Sequence, residues 1–158
     1  MSNKSACFTG HRDITPAKEP VIREKLREIL VRLIEEGYTS FYNGGAIGYD
    51  LLAAEVVLEL KEAYPHIRLI IIVPCAGQTR GWSEKNVIRY NRITSAADEV
   101  KCLSSVYYNG CMQARNRYMV DNSALVIAYL ERATGGSAGT VRYAEEKGKE
   151  AVNIFDEI

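Results

Sequence analysis

The sequence predicts an open α/β sheet, mostly parallel, with helices on both faces: a single-domain, Rossmann-like three-layer αβα sandwich. Three observations lead there. Short apolar runs of strand character alternate with longer runs of helical period along the whole chain. Residues 67–73, Ile-Arg-Leu-Ile-Ile-Ile-Val, are almost wholly apolar, as a strand covered on both faces requires. Each glycine-rich stretch falls between a strand-like and a helix-like run, at the carboxyl end of a strand, where such sheets bind ligands. The 158 residues suffice for one sizeable core, and residues 1–158 are read as one domain.

Taken in order, residues 6–9 read as a short strand ended by Gly10. Ile22, Leu26, Ile29, Leu30, Leu33 and Ile34 recur at helical spacing before Gly37, a left-handed stop just past the helix end. Residues 39–42 are a second strand and 51–63 a second helix, with Pro65 beyond it. The strand 67–73 ends at Pro74, and Ser83 can cap a helix running to about residue 96. Residues 99–103 read as strand, 112–120 as helix and 124–129 as a buried strand. A helix over 141–147, stopped by Gly148, and a strand over 151–155 close the pattern. No internal repeat or linker interrupts it, and residues 104–110 have the Ser, Tyr, Asn and Gly composition of a mobile loop over a site.

Lys plus Arg and Asp plus Glu number 20 each, so the chain lacks the basic excess of a protein that coats nucleic acid. Cys7, Cys75, Cys102 and Cys111 form no C-x-x-C pair, and His11 and His66 are isolated, so no metal site is expected. Buried thiols, the missing signal-peptide pattern and the lack of any membrane-length apolar run point to a cytoplasmic protein. No glycine turn ends in Gly-Lys-Ser or Gly-Lys-Thr, which argues against ATP hydrolysis.

Three segments carry chemistry that packing does not demand. They are Gly44-Gly45-Ala46-Ile47-Gly48-Tyr49-Asp50, Arg115-Asn116-Arg117 and Gly135-Gly136-Ser137-Ala138-Gly139-Thr140. A glycine turn opening a helix lets backbone N–H groups reach an anion, and arginine supplies forked, permanent charge. Gly10, Gly44, Gly45, Gly48, Gly136 and Gly139 therefore read as positions of close backbone approach. Ser137 and Thr140 can donate to phosphate or cap a helix, and Asp50 can accept from a ribose hydroxyl or cap the second helix. Arg12 and Arg115 are the phosphate candidates, while Arg117 can equally form an ion pair. Asn116 can bind a base or hold a loop, and His11 can be a proton donor or a hydrogen-bonding fixture. Trp82 reads as a hydrophobic staple rather than a base-stacking platform, and Arg89 and Arg92, with Arg80, as a solvated face.

Thr9-Gly10-His11-Arg12, the G-G-A-x-G-x-D turn, R-N-R, and G-S-A-G-T followed by Tyr143-Ala144 resemble the SLOG superfamily, specifically its YpsA-like branch. The likeness covers nearly the whole chain, in order. Two relatives share parts of it. The DNA-processing protein of bacterial transformation has a similar glycine turn, a similar R-N-R and a similar G-S-x-x-T-x-x-A segment. LOG-type phosphoribohydrolases have P-G-G-x-G-T-x-x-E and M-x-x-R-K-x-x-M, the second matched here by Met112, Arg115 and Met119 with Asn116 in place of lysine.

The resemblance implies a site for a nucleotide or nucleotide-derived ligand, such as a nucleoside phosphate or an ADP-ribose-like molecule. Hydrolysis is not expected. Where the hydrolases carry glutamates after their G-T pair, this chain has Arg142 and Tyr143, and N-glycoside cleavage needs a carboxylate. The expectation is a ligand sensor without cofactor or catalytic residue, acting as a homodimer that reports occupancy to a protein partner. A nucleotide N-glycosidase and a single-stranded nucleic-acid-binding module are the alternatives.

Overall fold

The computed structural model describes residues 4–158, and the sheet in it is parallel throughout. Its strands are β1 (Ser5–Gly10), β2 (Ser40–Asn43), β3 (Arg68–Val73), β4 (Glu99–Cys102), β5 (Leu125–Tyr129) and β6 (Glu150–Asn153), in the order β4-β3-β2-β1-β5-β6. The chain builds outward from β1 through β4, then crosses back to lay β5 on the other side of β1. That reversal opens a crevice beyond the carboxyl ends of β1 and β5.

Alternation along each strand sorts side chains into two cores. Phe8, Phe41, Leu69, Ile71 and Ile127 face α1 (Glu19–Glu35) and α2 (Tyr49–Leu60), with Ile93 of α3 (Glu84–Ala96) joining them. Cys7, Ile70, Ile72, Val126 and Ala128 face α4 (Cys111–Asp121) and α5 (Gly136–Glu146), through Met119, Val120 and Ala144. The six apolar residues expected to form the buried stripe of α1 are its six buried residues, and Gly37 beyond it takes a φ of 101°. Ser83 caps α3 by accepting from the Asn86 amide at 3.3 Å.

The ends of three elements differ from expectation. α2 begins two residues early, because the amide of Tyr49 donates to the His11 carbonyl at 3.1 Å and fixes the helix start against the loop after β1. The last strand stops at Asn153, whose side-chain oxygen accepts from the amides of Leu130 (2.9 Å) and Phe155 (3.2 Å) and turns the chain into a 3-10 turn over Ile154–Glu157. Helix α5 starts at Gly136 instead of residue 141. The glycine-rich run is thus the first turn of the helix, and Gly135, with φ 98°, is the entry to it. Gly and Ser have low helix propensity, which concealed that turn, but burial of Ala138 and Thr140 holds it in place. No helix among the described residues is long and apolar enough to cross a membrane.

Candidate functional site

The crevice holds a cavity of about 370 Å³. Gly10, His11, Arg12 and Asp13 come to it from the end of β1, Asp50 from α2, Arg115 and Asn116 from α4, and Arg132, Gly136 and Ser137 from the β5–α5 connection. A second cavity of about 270 Å³ adjoins it, sharing Asn116, Gly135 and Gly136 and adding Arg117, Gly139, Thr140, Arg142 and Tyr143. The two lie on either side of the first turn of α5. A larger open depression between α1, α2 and α3 is laced with ion pairs: Arg23 and Arg89 both reach Glu55, at 3.0 and 2.7 Å. Arg89 is thus half of a bidentate pair and not a solvated charge.

The two glycine turns do different work. Gly44 and Gly45 are buried beneath the cavity and do not line it, so the backbone approach expected there is made by the protein's own groups. A Cβ on Gly44 would sit 2.7 Å from Nη1 of Arg115 and 2.8 Å from Oδ2 of Asp50. Gly45 has φ 66°, and Gly48, φ 86°, lies against the backbone of Arg12, whose carbonyl oxygen a Cβ would meet at 2.4 Å. Gly10 lines the cavity, but its missing side chain makes room for the buried ring of Tyr49, 2.4 Å from where a Cβ would stand. Asn43, which sequence reasoning missed, ties the turn together by accepting from the Gly45 amide and donating to the Asp50 carbonyl, both at 2.8 Å.

The second turn is open. Nothing lies within 4 Å of a Cβ built on Gly135 or Gly136, and Gly135 offers no side-chain cap. The first intrahelical bond runs from the Gly139 amide to the Gly135 carbonyl, so the amides of Gly136, Ser137 and Ala138 have no intrahelical acceptor. Ser137 and Thr140 direct their hydroxyl protons elsewhere, to the carbonyls of Gly10 (2.9 Å) and Gly136 (3.0 Å). These hydroxyls therefore brace the turn rather than donate to an anion.

Arg115 is only 3% exposed. Its Nη1 donates to the carbonyls of Gly44 (2.6 Å) and Ile72 (3.3 Å) and its Nε to Oδ1 of Asn116 (2.8 Å), leaving Nη2 against the Met112 sulfur. It is a buried cation at the back of the cavity. Arg12, by contrast, is exposed and its guanidinium has no hydrogen-bond or ion-pair partner among the described residues. Arg132, another residue the sequence reading passed over, pairs with Asp13 at 3.1 Å. It follows β5 just ahead of the glycine run, and that position was its only signal. Arg117 lies outside the larger cavity, with its guanidinium over the Tyr143 ring at 5.1 Å.

Nε2 of His11 accepts from the amides of Glu131 (2.8 Å) and Arg132 (3.4 Å), tying the β1 loop to the β5 loop. Burial and the charge of Arg132 push its pKa down, so the ring is neutral at neutral pH and serves as a fixture. Trp82 packs edge-on against Tyr90 at 5.5 Å, away from both cavities.

Asp50 does not occupy the capping position of α2, which belongs to Gly48. Its Oδ2 accepts from the Ala46 amide at 3.3 Å, while its Oδ1 is buried with no hydrogen-bond partner among the described residues. Burial pushes the carboxyl up to about 6, with Arg115, the Ala46 amide and Arg12 opposing. Because the folded pKa lies above the unfolded value, the folded state binds the extra proton and is favoured at low pH. Relative to Asp50→Asn, the natural chain is expected to lose stability as pH rises from about 4 to about 6, by up to about 1.4 kcal/mol per pH unit, as read by chemical denaturation. Parallel profiles for the two proteins would contradict the buried charge.

A sequence model described as the YspA SLOG family matches residues 8–155, nearly the whole chain. The chain belongs to the YspA SLOG family. Among relatives of this SLOG chain, a UPF0398 protein of Halalkalibacterium halodurans is 34% identical over 141 residues, covering 87% of the chain and 72% of the relative. A UPF0398 protein of Brevibacillus brevis is 31% identical over 145 residues, covering 86% and 77%. Among solved structures, DNA processing protein A of Helicobacter pylori, which binds single-stranded DNA, superposes with a TM-score of 0.62 at 21% identity, over 94% of the SLOG chain and 64% of that protein. The Streptococcus pneumoniae counterpart gives 0.67 at 18%, over 93% and 48%, and the protein TM1055 gives 0.60 at 16%, over 94% and 72%. The chain therefore spans less than two thirds of either DNA-processing protein, and at these identities the likeness is one of fold.

Proposed function

We propose that the chain is a ligand-binding sensor domain for a nucleotide or nucleotide-derived molecule, held with its phosphate at the first turn of α5 and released unaltered. The observation that carries this reading is the open helix entry at Gly135 and Gly136. Three amides without intrahelical acceptors and the positive end of the helix dipole meet a cavity that also receives the unpaired guanidinium of Arg12. A phosphate there takes backbone N–H bonds and a charge-assisted bond from Arg12, while the orphaned Oδ1 of Asp50 accepts from a hydroxyl of the ligand.

The same geometry disfavours hydrolysis. The carboxylates on the larger cavity are Asp13, already paired with Arg132, and Asp50, buried beside Arg115. Arg142 and Tyr143 line the smaller cavity, and Tyr143 donates to Asp121 at 2.8 Å. Glu145 and Glu146 are exposed in the last turn of α5, about 14 Å along the helix from its first residue.

Isothermal titration with ADP-ribose, alongside chromatography of the same mixtures and of AMP incubations, tests the assignment. Arg12→Ala is expected to weaken binding ten- to a hundredfold, the loss of one charge-assisted bond, without lowering the melting temperature, because the side chain is exposed and unpaired. No adenine or ribose phosphate should appear. Equal affinity in the two proteins would remove Arg12 from the site, and steady release of adenine from AMP would make the domain a glycosidase.

A further inference from the structure

Both edges of a parallel sheet need an explanation, and here they are treated differently. β6 is half covered by its surroundings, whereas all four residues of β4 are exposed. Exposed apolar side chains gather at the same place. Of the eight large hydrophobic residues exposed among the described residues, Val100, Val106, Tyr107 and Tyr108 fall within the nine residues 100–108. Such local concentration marks an interaction surface more often than scattered single residues do.

The backbone of β4 has a free side. The Leu103 amide donates to the Val73 carbonyl at 2.9 Å, and β4 runs parallel to β3 with Ile71 beside Val100. In a parallel ladder a residue bonds to the two neighbours of its partner, so the N–H and C=O groups of Glu99 and Lys101 turn toward β3 and those of Val100 turn away from it, toward solvent. No Pro or Gly interrupts the strand.

We propose that this edge is the seam of a homodimer in which β4 pairs antiparallel with β4 of a second copy, about a two-fold axis through Val100, giving one sheet continuous across both chains. The charge pattern is self-complementary in that register and in no other centred on this strand. Glu99 stands opposite Lys101 of the second copy, Lys101 opposite its Glu99, and Val100 against Val100. Val100 is the position whose backbone groups point outward, so Val100 with Val100 of the second copy is the hydrogen-bonded pair, and the two Glu99–Lys101 pairs are the closer, non-hydrogen-bonded ones, whose side chains approach most nearly. A lysine on a short edge strand ordinarily protects it from pairing. Here each lysine meets a glutamate, so the same residues that discourage other strands fit this one. Val100, 46% exposed, loses its water at the axis, and the loop carrying Val106 to Tyr108 leads directly into α4, which supplies Arg115 and Asn116 to the cavity.

Sedimentation velocity of the natural chain and four variants tests the seam. The natural protein is expected to be a dimer in the micromolar range. Glu99→Lys and Lys101→Glu each turn both cross-strand pairs into like-charge pairs and should weaken the dimer about tenfold or more. The double reversal Glu99→Lys/Lys101→Glu restores opposite charges and should restore the dimer. Val100→Pro removes an outward N–H that β3 does not use, so it should yield a folded monomer, as circular dichroism will show. A natural protein that stays monomeric at the highest attainable concentration overturns the proposal. So does a dimer indifferent to the single reversals and to Val100→Pro, which would place the contact elsewhere.

Discussion

Replacing Arg115 with alanine is expected to lower the stability of the fold by about 3–5 kcal/mol, before any ligand is considered. The side chain is 3% exposed and holds the carbonyls of Gly44 and Ile72 and the amide oxygen of Asn116. Truncation leaves these acceptors short of a donor and deprives Asp50 of its nearest cation in a buried setting. It also empties the space into which Gly44 was cleared. Urea unfolding at neutral pH reads the effect. A loss below about 1 kcal/mol would show that the Arg115 network is relaxed or hydrated and not the keystone of the cavity floor. Arg115→Lys should recover little, since an ammonium cannot reach three acceptors spread around a planar fork.

The second large effect separates the two glycine turns. Gly45→Val is expected to destabilise the protein by several kcal/mol, because a β-branched residue at φ 66° is strained by about 1–3 kcal/mol and its Cβ also meets Tyr90 at 3.1 Å and Ile71 at 3.3 Å. Gly136→Val is expected to leave the melting temperature within a few degrees of the natural value while removing nucleotide binding. Its φ is not positive and its Cβ meets nothing within 4 Å, so the branched side chain stands in the cavity where the anion would approach the helix entry. Thermal unfolding of the two proteins decides the structural half of this contrast. Equal losses would mean that the two turns play one structural role.

The sequence was most informative where structure is local and periodic. The stripe of α1, the left-handed stop at Gly37, the cap at Ser83 and the twice-covered strand β3 each follow from spacing or from a residue type with one common use, and each is present. The site was legible as a set of segments, because glycine runs and arginines stand out against an apolar background. Their division of labour was not. Nothing near Gly44 signals that its missing Cβ admits a guanidinium 71 residues away, and nothing in R-N-R says that the first arginine turns inward while the second stacks on Tyr143. Gly10 and Gly48 read as anion-binding positions from sequence, yet Tyr49 and the Arg12 backbone fill the space they leave. The start of α5 was lost for a related reason: propensity argues against a helix through Gly-Ser-Ala-Gly-Thr, and only contacts across the sheet, such as Ser137 on Gly10, hold it there. His11 likewise offered two roles until its ring nitrogen was seen accepting from two amides of the β5 loop.

Binding of a ligand phosphate at the first turn of α5 is tested by a thermal-shift comparison of the natural chain with Gly136→Val against AMP, ADP, ADP-ribose and NAD. Because a ligand that binds only the folded state raises the melting temperature, at least one of these should stabilise the natural protein by several degrees and leave Gly136→Val unmoved. The same shift in both proteins, or none in the natural chain with any of the four, would contradict it.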